Sequence, residues 1–136
     1  MNCIFCAIVA READASVVHE DEAVLAFLDI RPFTPGHLLV IPKRHAAGLG
    51  TLDPEDAGAM FRVACTIGAA LRTAPDVDGV NLLQADGVAA GQEVFHAHLH
   101  VIPRREGDGF GLRGPLPSMP PRAALDRTAA GIRALL

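Results

Sequence analysis

No run of about 18 apolar residues occurs in the 136-residue chain, so a membrane-spanning helix is not expected despite a mean hydropathy of +0.27. No basic block occurs either. Twelve Lys and Arg stand against sixteen Asp and Glu, a net charge of −4, which argues against a grip on a nucleic-acid backbone. Met1-Asn2-Cys3 runs straight into Ile-Phe-Cys with no basic and no long apolar region, so no secretory signal is read and a soluble protein of the reducing cytoplasm is expected. Three cysteines are too few, and odd in number, for a disulfide framework. Cys65, among apolar neighbours, reads as a small buried hydrophobe. Repeats, low-complexity blocks and Gly/Ser linkers are missing, and the length suits a single domain over 1–136. What is present is ordinary globular usage, 50% hydrophobic and 21% charged, enough to build a core.

Single prolines and glycines divide the chain. Ser16–His19 and Ala23–Leu28 are short β-prone runs around Glu20-Asp21-Glu22, which predicts a hairpin, and Pro32 and Pro35 break the pattern over Asp29–Gly36. His37–Ile41 resumes as a strand that Pro42 ends. Asp53 reads as a helix N-cap, with Pro54 at the first helical position and Glu55 and Asp56 in the first turn. Ala57, Met60, Phe61, Ala64, Ile67 and Leu71 then form a stripe that predicts one buried face, closed before Pro75. Val80–Leu83 and Phe95–Ile102 are the next strands, joined through the loop Asp86–Gly91. Residues 107–121 should be irregular, and Leu125, Ala129, Ile132 and Leu136 share one face of a final helix. The class is α+β with a mainly antiparallel sheet.

Three of the six histidines alternate, at His96, His98 and His100. Random placement gives such a triple on the order of one time in a hundred. On a strand these rings share one face about 6.5 to 7 Å apart, while Phe95, Ala97, Leu99 and Val101 face the core. The pattern suits a metal site or nucleophilic and acid/base catalysis, beside the plainer reading of a half-exposed strand with a polar face. Cys3 and Cys6 form a Cys-x2-Cys half-site whose spacing alone leaves redox, metal-binding and accidental readings open.

The run Gly91-Gln92-Glu93-Val94-Phe95-His96-Ala97-His98-Leu99-His100-Val101-Ile102-Pro103 resembles the signature of the histidine triad (HIT) superfamily. Phe27-Leu28-Asp29-Ile30 and Pro35-Gly36-His37 through His45 are similar to that family's other landmarks, in their usual order. The resemblance spans 3–104 and leaves 105–136 as a variable C-terminal segment. It implies a HIT-like fold, a five-stranded sheet with one long helix and a C-terminal helix, acting as a homodimer. It also implies a nucleotidyl hydrolase or transferase working at the α-phosphate of purine nucleotides. His98 would be the nucleophile carrying a transient nucleotidyl group. His100 would contact phosphate oxygens, His37 would lie behind the site, and backbone groups near Gly91 would help fix its geometry. Asp29 would bind the ribose, although on its own it reads as a turn cap. Ile4, Phe5, Ile8, Phe27, Leu28 and Ile30 would wall the base, although the aromatic and aliphatic members equally suit a core.

The Cys-Ile-Phe-Cys opening resembles that of the bacterial-type branch that binds zinc. The implied ligands are Cys3, Cys6, His45 and His96, a closed set that reads as structural, with one zinc per chain. Two positions depart from the family pattern. Glu93 stands where many members carry Ser or Thr, and would repel a phosphate oxygen. Ala85 stands where relatives often place Asn or Gln, and the strand register turns the adjacent Gln84 to the other face. The basic residues Lys43, Arg44, Arg104 and Arg105 read as solvated. Rival readings are a dinucleoside polyphosphate hydrolase, a metal-dependent hydrolase built on the alternating histidines, and a nucleotide-binding module with little turnover.

Overall fold

The computed structural model describes residues 2–111, 114 and 118–136. Five strands form one antiparallel sheet in the order β1-β2-β3-β5-β4: β1 Val17–Glu20, β2 Val24–Leu28, β3 Leu38–Pro42, β4 Gly79–Gln84 and β5 Leu99–Arg104. The β1–β2 hairpin forms where expected, its turn held by Asp21, whose carboxylate accepts from the amides of Ala23 and Val24 at 2.9 and 2.8 Å. Positions along β2, β3 and β5 alternate between two covered faces, which is why these strands read as near-continuous apolar runs.

One face packs on α2, Pro54–Leu71. Asp53 caps it by accepting from Glu55 N–H at 2.8 Å, and Met60 and Ala64 meet Val24, Ala26, Leu38, Val40, Leu99 and Val101. Two expectations for this helix fail. Phe61 is 56% exposed and Cys65 is also exposed, because the buried stripe runs through Asp56, Met60, Ala64 and Gly68. Asp56 tolerates burial through the Arg44 guanidinium, 2.9 Å away.

The opposite face carries a helix that the sequence reading did not foresee, α1 over Ile4–Val9. It drives Phe5 and Ile8 onto Leu25, Phe27, Leu39 and Ile41. The last helix, α3 over Arg122–Arg133, has no buried residue in the single chain. Of the stretch expected to be irregular, 107–121, residues 112–113 and 115–117 lie outside those described; the others lie outside helix and strand. Among the described residues no helix is long and apolar enough to cross a membrane.

Candidate active site and metal centre

β5 joins the sheet only at Leu99, opposite Val40 of β3. Before that the His96 ring, rather than a backbone amide, donates to the Pro42 carbonyl at 2.7 Å, and Ala97 N–H turns to the Ala46 carbonyl at 2.7 Å. The strand expected from Phe95 is therefore shorter, and Phe95 is 49% exposed instead of facing the core. Ala97, Leu99 and Val101 are buried as expected.

The alternating rings do not form an even row, because each has a different partner. A carbonyl only accepts, so the Pro42 contact puts the His96 proton on Nε2 and leaves Nδ1 bare. His98 donates from Nδ1 to the His96 carbonyl at 2.7 Å, which leaves a lone pair on its Nε2. Across the β3–β5 pair, Phe33 N–H donates to His37 Nδ1 at 3.1 Å, so neutral His37 carries its proton on Nε2 and donates to His100 Nδ1 at 2.8 Å. His100 then keeps its proton on Nε2. A bare nitrogen on His98 thus stands beside a donor on His100, with ring centroids 5.0 Å apart.

Burial pushes His37, His96 and His100 below the ordinary histidine range, His100 down to about 4 with help from His98 and His37. All three are neutral at neutral pH. Asp29 opposes this shift at His37 and His100. One of its oxygens lies 3.7 Å from His37 Nε2, and the other accepts from Arg31 N–H at 2.8 Å. Asp29 is therefore a turn cap and a site-facing carboxylate at once.

The six residues expected around a base divide. Phe5, Ile8 and Phe27 are core, with Phe5 edge-on to His98 at 5.3 Å, whereas Ile4, Leu28 and Ile30 are exposed. Gly91 follows a single 3-10 turn, Val88–Ala90, at φ +93°, a conformation that favours glycine. Buried Gln92 braces this loop, accepting from Gly87 N–H at 2.8 Å and donating to the carbonyls of Ala47 and Val94 at 2.8 and 3.1 Å. Glu93 is paired with Arg31 at 3.0 Å, which offsets its charge. Ala85 is buried, and Gln84 lies opposite Leu99 on the α2 face, away from His100, as the register argument expected.

Cys3, Cys6, His45 and His96 bring their ligand atoms within 4.8 Å of one another. Cys3 Sγ lies 3.5 Å and Cys6 Sγ 3.6 Å from His96 Nδ1, and Cys6 Sγ lies 3.3 Å from His45 Nδ1. A tetrahedral zinc with ordinary bond lengths has S···N edges of about 3.6 Å, so the group fits that ion. The Pro42 contact supplies the matching proton placement, with the bare Nδ1 of His96 facing the thiols. Burial and the adjacent Cys3 sulfur raise the Cys6 thiol, a balance that a bound cation reverses. Asp29, His37 and His100 also converge within 4.8 Å. Phe33 N–H, however, keeps the proton on His37 Nε2, the atom that would have to coordinate, so this group is a hydrogen-bonded relay. With His96, His98 and His100 each facing a different partner, the arrangement speaks against a catalytic zinc held by the alternating triple.

The sequence reading missed Phe33, whose amide and ring both meet His37, and Thr34, whose hydroxyl ties the same loop to the Pro103 carbonyl at 2.6 Å. The only signal was their place between two prolines just before His37.

Residues 10–107 match the HIT domain. A HIT-like protein of Borreliella burgdorferi is 46% identical over 114 residues, 82% of each chain. The adenylylsulfatase HINT3 of Arabidopsis thaliana is 40% identical over 107 residues, 79% of this chain and 54% of its own. The crystal structure of a HIT family protein from Bacillus anthracis is 44% identical with a TM-score of 0.89, covering 99% of this chain and 97% of that one. A Zn-bound histidine triad family protein from Mycobacterium smegmatis is also 44% identical, with a TM-score of 0.78 and coverage of 96% and 98%.

Proposed function

The chain belongs to the HIT family of nucleotide-binding hydrolases and transferases, and we propose that it cleaves at the α-phosphate of purine nucleotides through a covalent nucleotidyl-histidine on His98. One observation carries this reading: His98 gives its only proton to the His96 carbonyl and so presents a bare Nε2 beside a His100 donor. Such a nitrogen attacks phosphorus without prior deprotonation. The N–P bond forms as the bond to the leaving group breaks, and the leaving group departs with the bonding pair and takes a proton from solvent. Positive charge on the substituted imidazole is stabilised through its Nδ1–H by the His96 carbonyl. Water then attacks the same phosphorus, loses a proton to solvent, and returns His98 neutral. His100 donates from Nε2 to a phosphate oxygen, with His37 holding its other nitrogen.

Asp29 takes the ribose hydroxyls, backbone groups near Gly91 help fix the phosphate geometry, and Ile4, Phe5, Ile8, Phe27, Leu28 and Ile30 supply the apolar side of the base pocket. Cys3, Cys6, His45 and His96 hold one structural zinc per chain. Four protein ligands leave the metal no open position, and its contribution is to fasten α1 to the segment that carries His98. The reading includes a homodimer in the cytoplasm; Leu125 and Ile132 of α3, exposed in one chain, are available to a second copy.

AMP release from adenosine 5′-phosphoramidate and from a dinucleoside polyphosphate, measured with added chelator for wild type and His98→Ala, tests the reading. Turnover that persists in chelator and disappears in the variant supports nucleotidyl transfer through His98, and the preferred substrate separates the phosphoramidate from the polyphosphate branch. Equal rates in wild type and variant overturn it.

A further inference from the structure

The Phe33 ring, though the residue is 58% exposed, stacks with two other rings. The His37 imidazole stacks on it at 5.1 Å between centroids and Phe110 at 4.9 Å, each pair of planes tilted by 14°. The Arg104 guanidinium lies over the Phe110 ring, 4.6 Å from its centroid. Offset stacking of this kind is the favoured aromatic arrangement, and a cation over the last ring adds to it.

The far end of this column is clamped. Asp108 takes Arg104 Nε and Nη2 at 2.8 Å each, and its two oxygens also accept the amides of Arg105 and Phe110 at 3.0 and 3.1 Å. Arg104 Nη1 donates to Asn81 Oδ1 at 2.7 Å, and Nη2 also reaches the Phe110 carbonyl. Gly107 and Gly109, at φ +73° and +75°, make the reversal that brings Phe110 back against Phe33. Arg104, expected to be merely solvated, is thus the centre of a folded loop. At the near end Phe33 acts twice on His37: its amide sets the tautomer, and its side chain sets the plane of the ring. A tilt of His37 would swing Nε2–H away from His100 Nδ1, which it meets at 2.8 Å.

We propose that Phe33 and Phe110 are positioning residues: the 105–110 loop holds the His37 ring through this aromatic column and thereby keeps the His100 proton on the nitrogen that faces substrate. The catalytic half of the statement rests on the reading of His98 and His100 as the reacting pair.

The test is nitrogen-15 NMR of the imidazoles in the full-length, metal-loaded protein, with kcat and KM for AMP release, in wild type, Phe110→Ala, Phe110→Tyr and Asp108→Asn. Bare and protonated ring nitrogens have distinct shifts. Wild type should show His37 as a single Nε2–H tautomer. Phe110→Ala should mix its tautomers and lower kcat by about ten- to a hundredfold with KM within about twofold and the His96 signals unmoved. Phe110→Tyr should restore both. Asp108→Asn loosens the loop without touching a ring and carries the test by the same readout if Phe110→Ala does not fold. Unchanged His37 signals in Phe110→Ala and Asp108→Asn overturn the proposal, as does a kcat loss unaccompanied by a change at His37. A wild type that turns over neither substrate, while His37 responds as expected, leaves the positioning role standing and fails the functional reading instead.

Discussion

Lowering the pH from about 6.5 to 4 should cost the fold about 3 kcal/mol through the His100 ring. Burial, then His98 and His37, push this histidine down from 6.5 to about 4 against the opposing pull of Asp29. Between those values the unfolded chain holds a proton that the native one refuses, so stability is complete above about 6.5, falls as the pH falls, and levels off below about 4. At 1.36 kcal/mol per pH unit, the span gives the figure above. It is a large share of a stability of about 5–15 kcal/mol. His37 and His96 are lowered by burial as well and act in the same direction. His100→Gln removes one titration and leaves these two in place. Urea unfolding followed by far-ultraviolet circular dichroism suits a chain without Trp or Tyr. The wild-type curve should be steeper than that of His100→Gln by up to about 1.4 kcal/mol per pH unit across the window. Parallel curves would refute the argument that the ring is held neutral by its surroundings.

Two further outcomes are expected. Protein purified without chelator should carry one zinc per chain by elemental analysis, with Cys6→Ser lowering occupancy and thermal midpoint together; a stoichiometry near zero in wild type would sink the metal assignment. Asp53→Ala should cost about 1 kcal/mol in urea unfolding by exposing the start of α2, and an unchanged midpoint would mean that the cap does not contribute.

The strands and α2 were legible because their local signals agree with their tertiary surroundings. Asp53 and Pro54 start the helix, Pro42 ends a strand, and β2 and β3 are apolar on both sides because both sides are covered. α1 was not legible because its six residues have no Ser, Thr, Asp or Asn cap; the helix exists because Phe5 and Ile8 find a sheet beneath them. Phe61 misled because apolar spacing marks two adjacent stripes and only contact with the sheet chooses between them. At the site, the identity of the histidines was in the motif, while their proton placement was not. That placement depends on the Pro42 and His96 carbonyls and the Phe33 amide, atoms that every or nearly every residue type supplies and that therefore leave no trace in composition. Phe110 lay in a stretch whose glycines announced only irregularity.

The reliance on peptide groups also changes what mutagenesis sees. An alanine scan of this protein would pass over Pro42 and His96 as hydrogen-bond acceptors, since any replacement keeps the carbonyl. The scan would score only the lost side chain. Amide-to-ester exchange at Phe33 reaches what the scan cannot, because it deletes the N–H and retains the ring. A residue that reaches the histidines only through its carbonyl, as Pro42 does, is correspondingly free to drift, provided that the path of the main chain is kept.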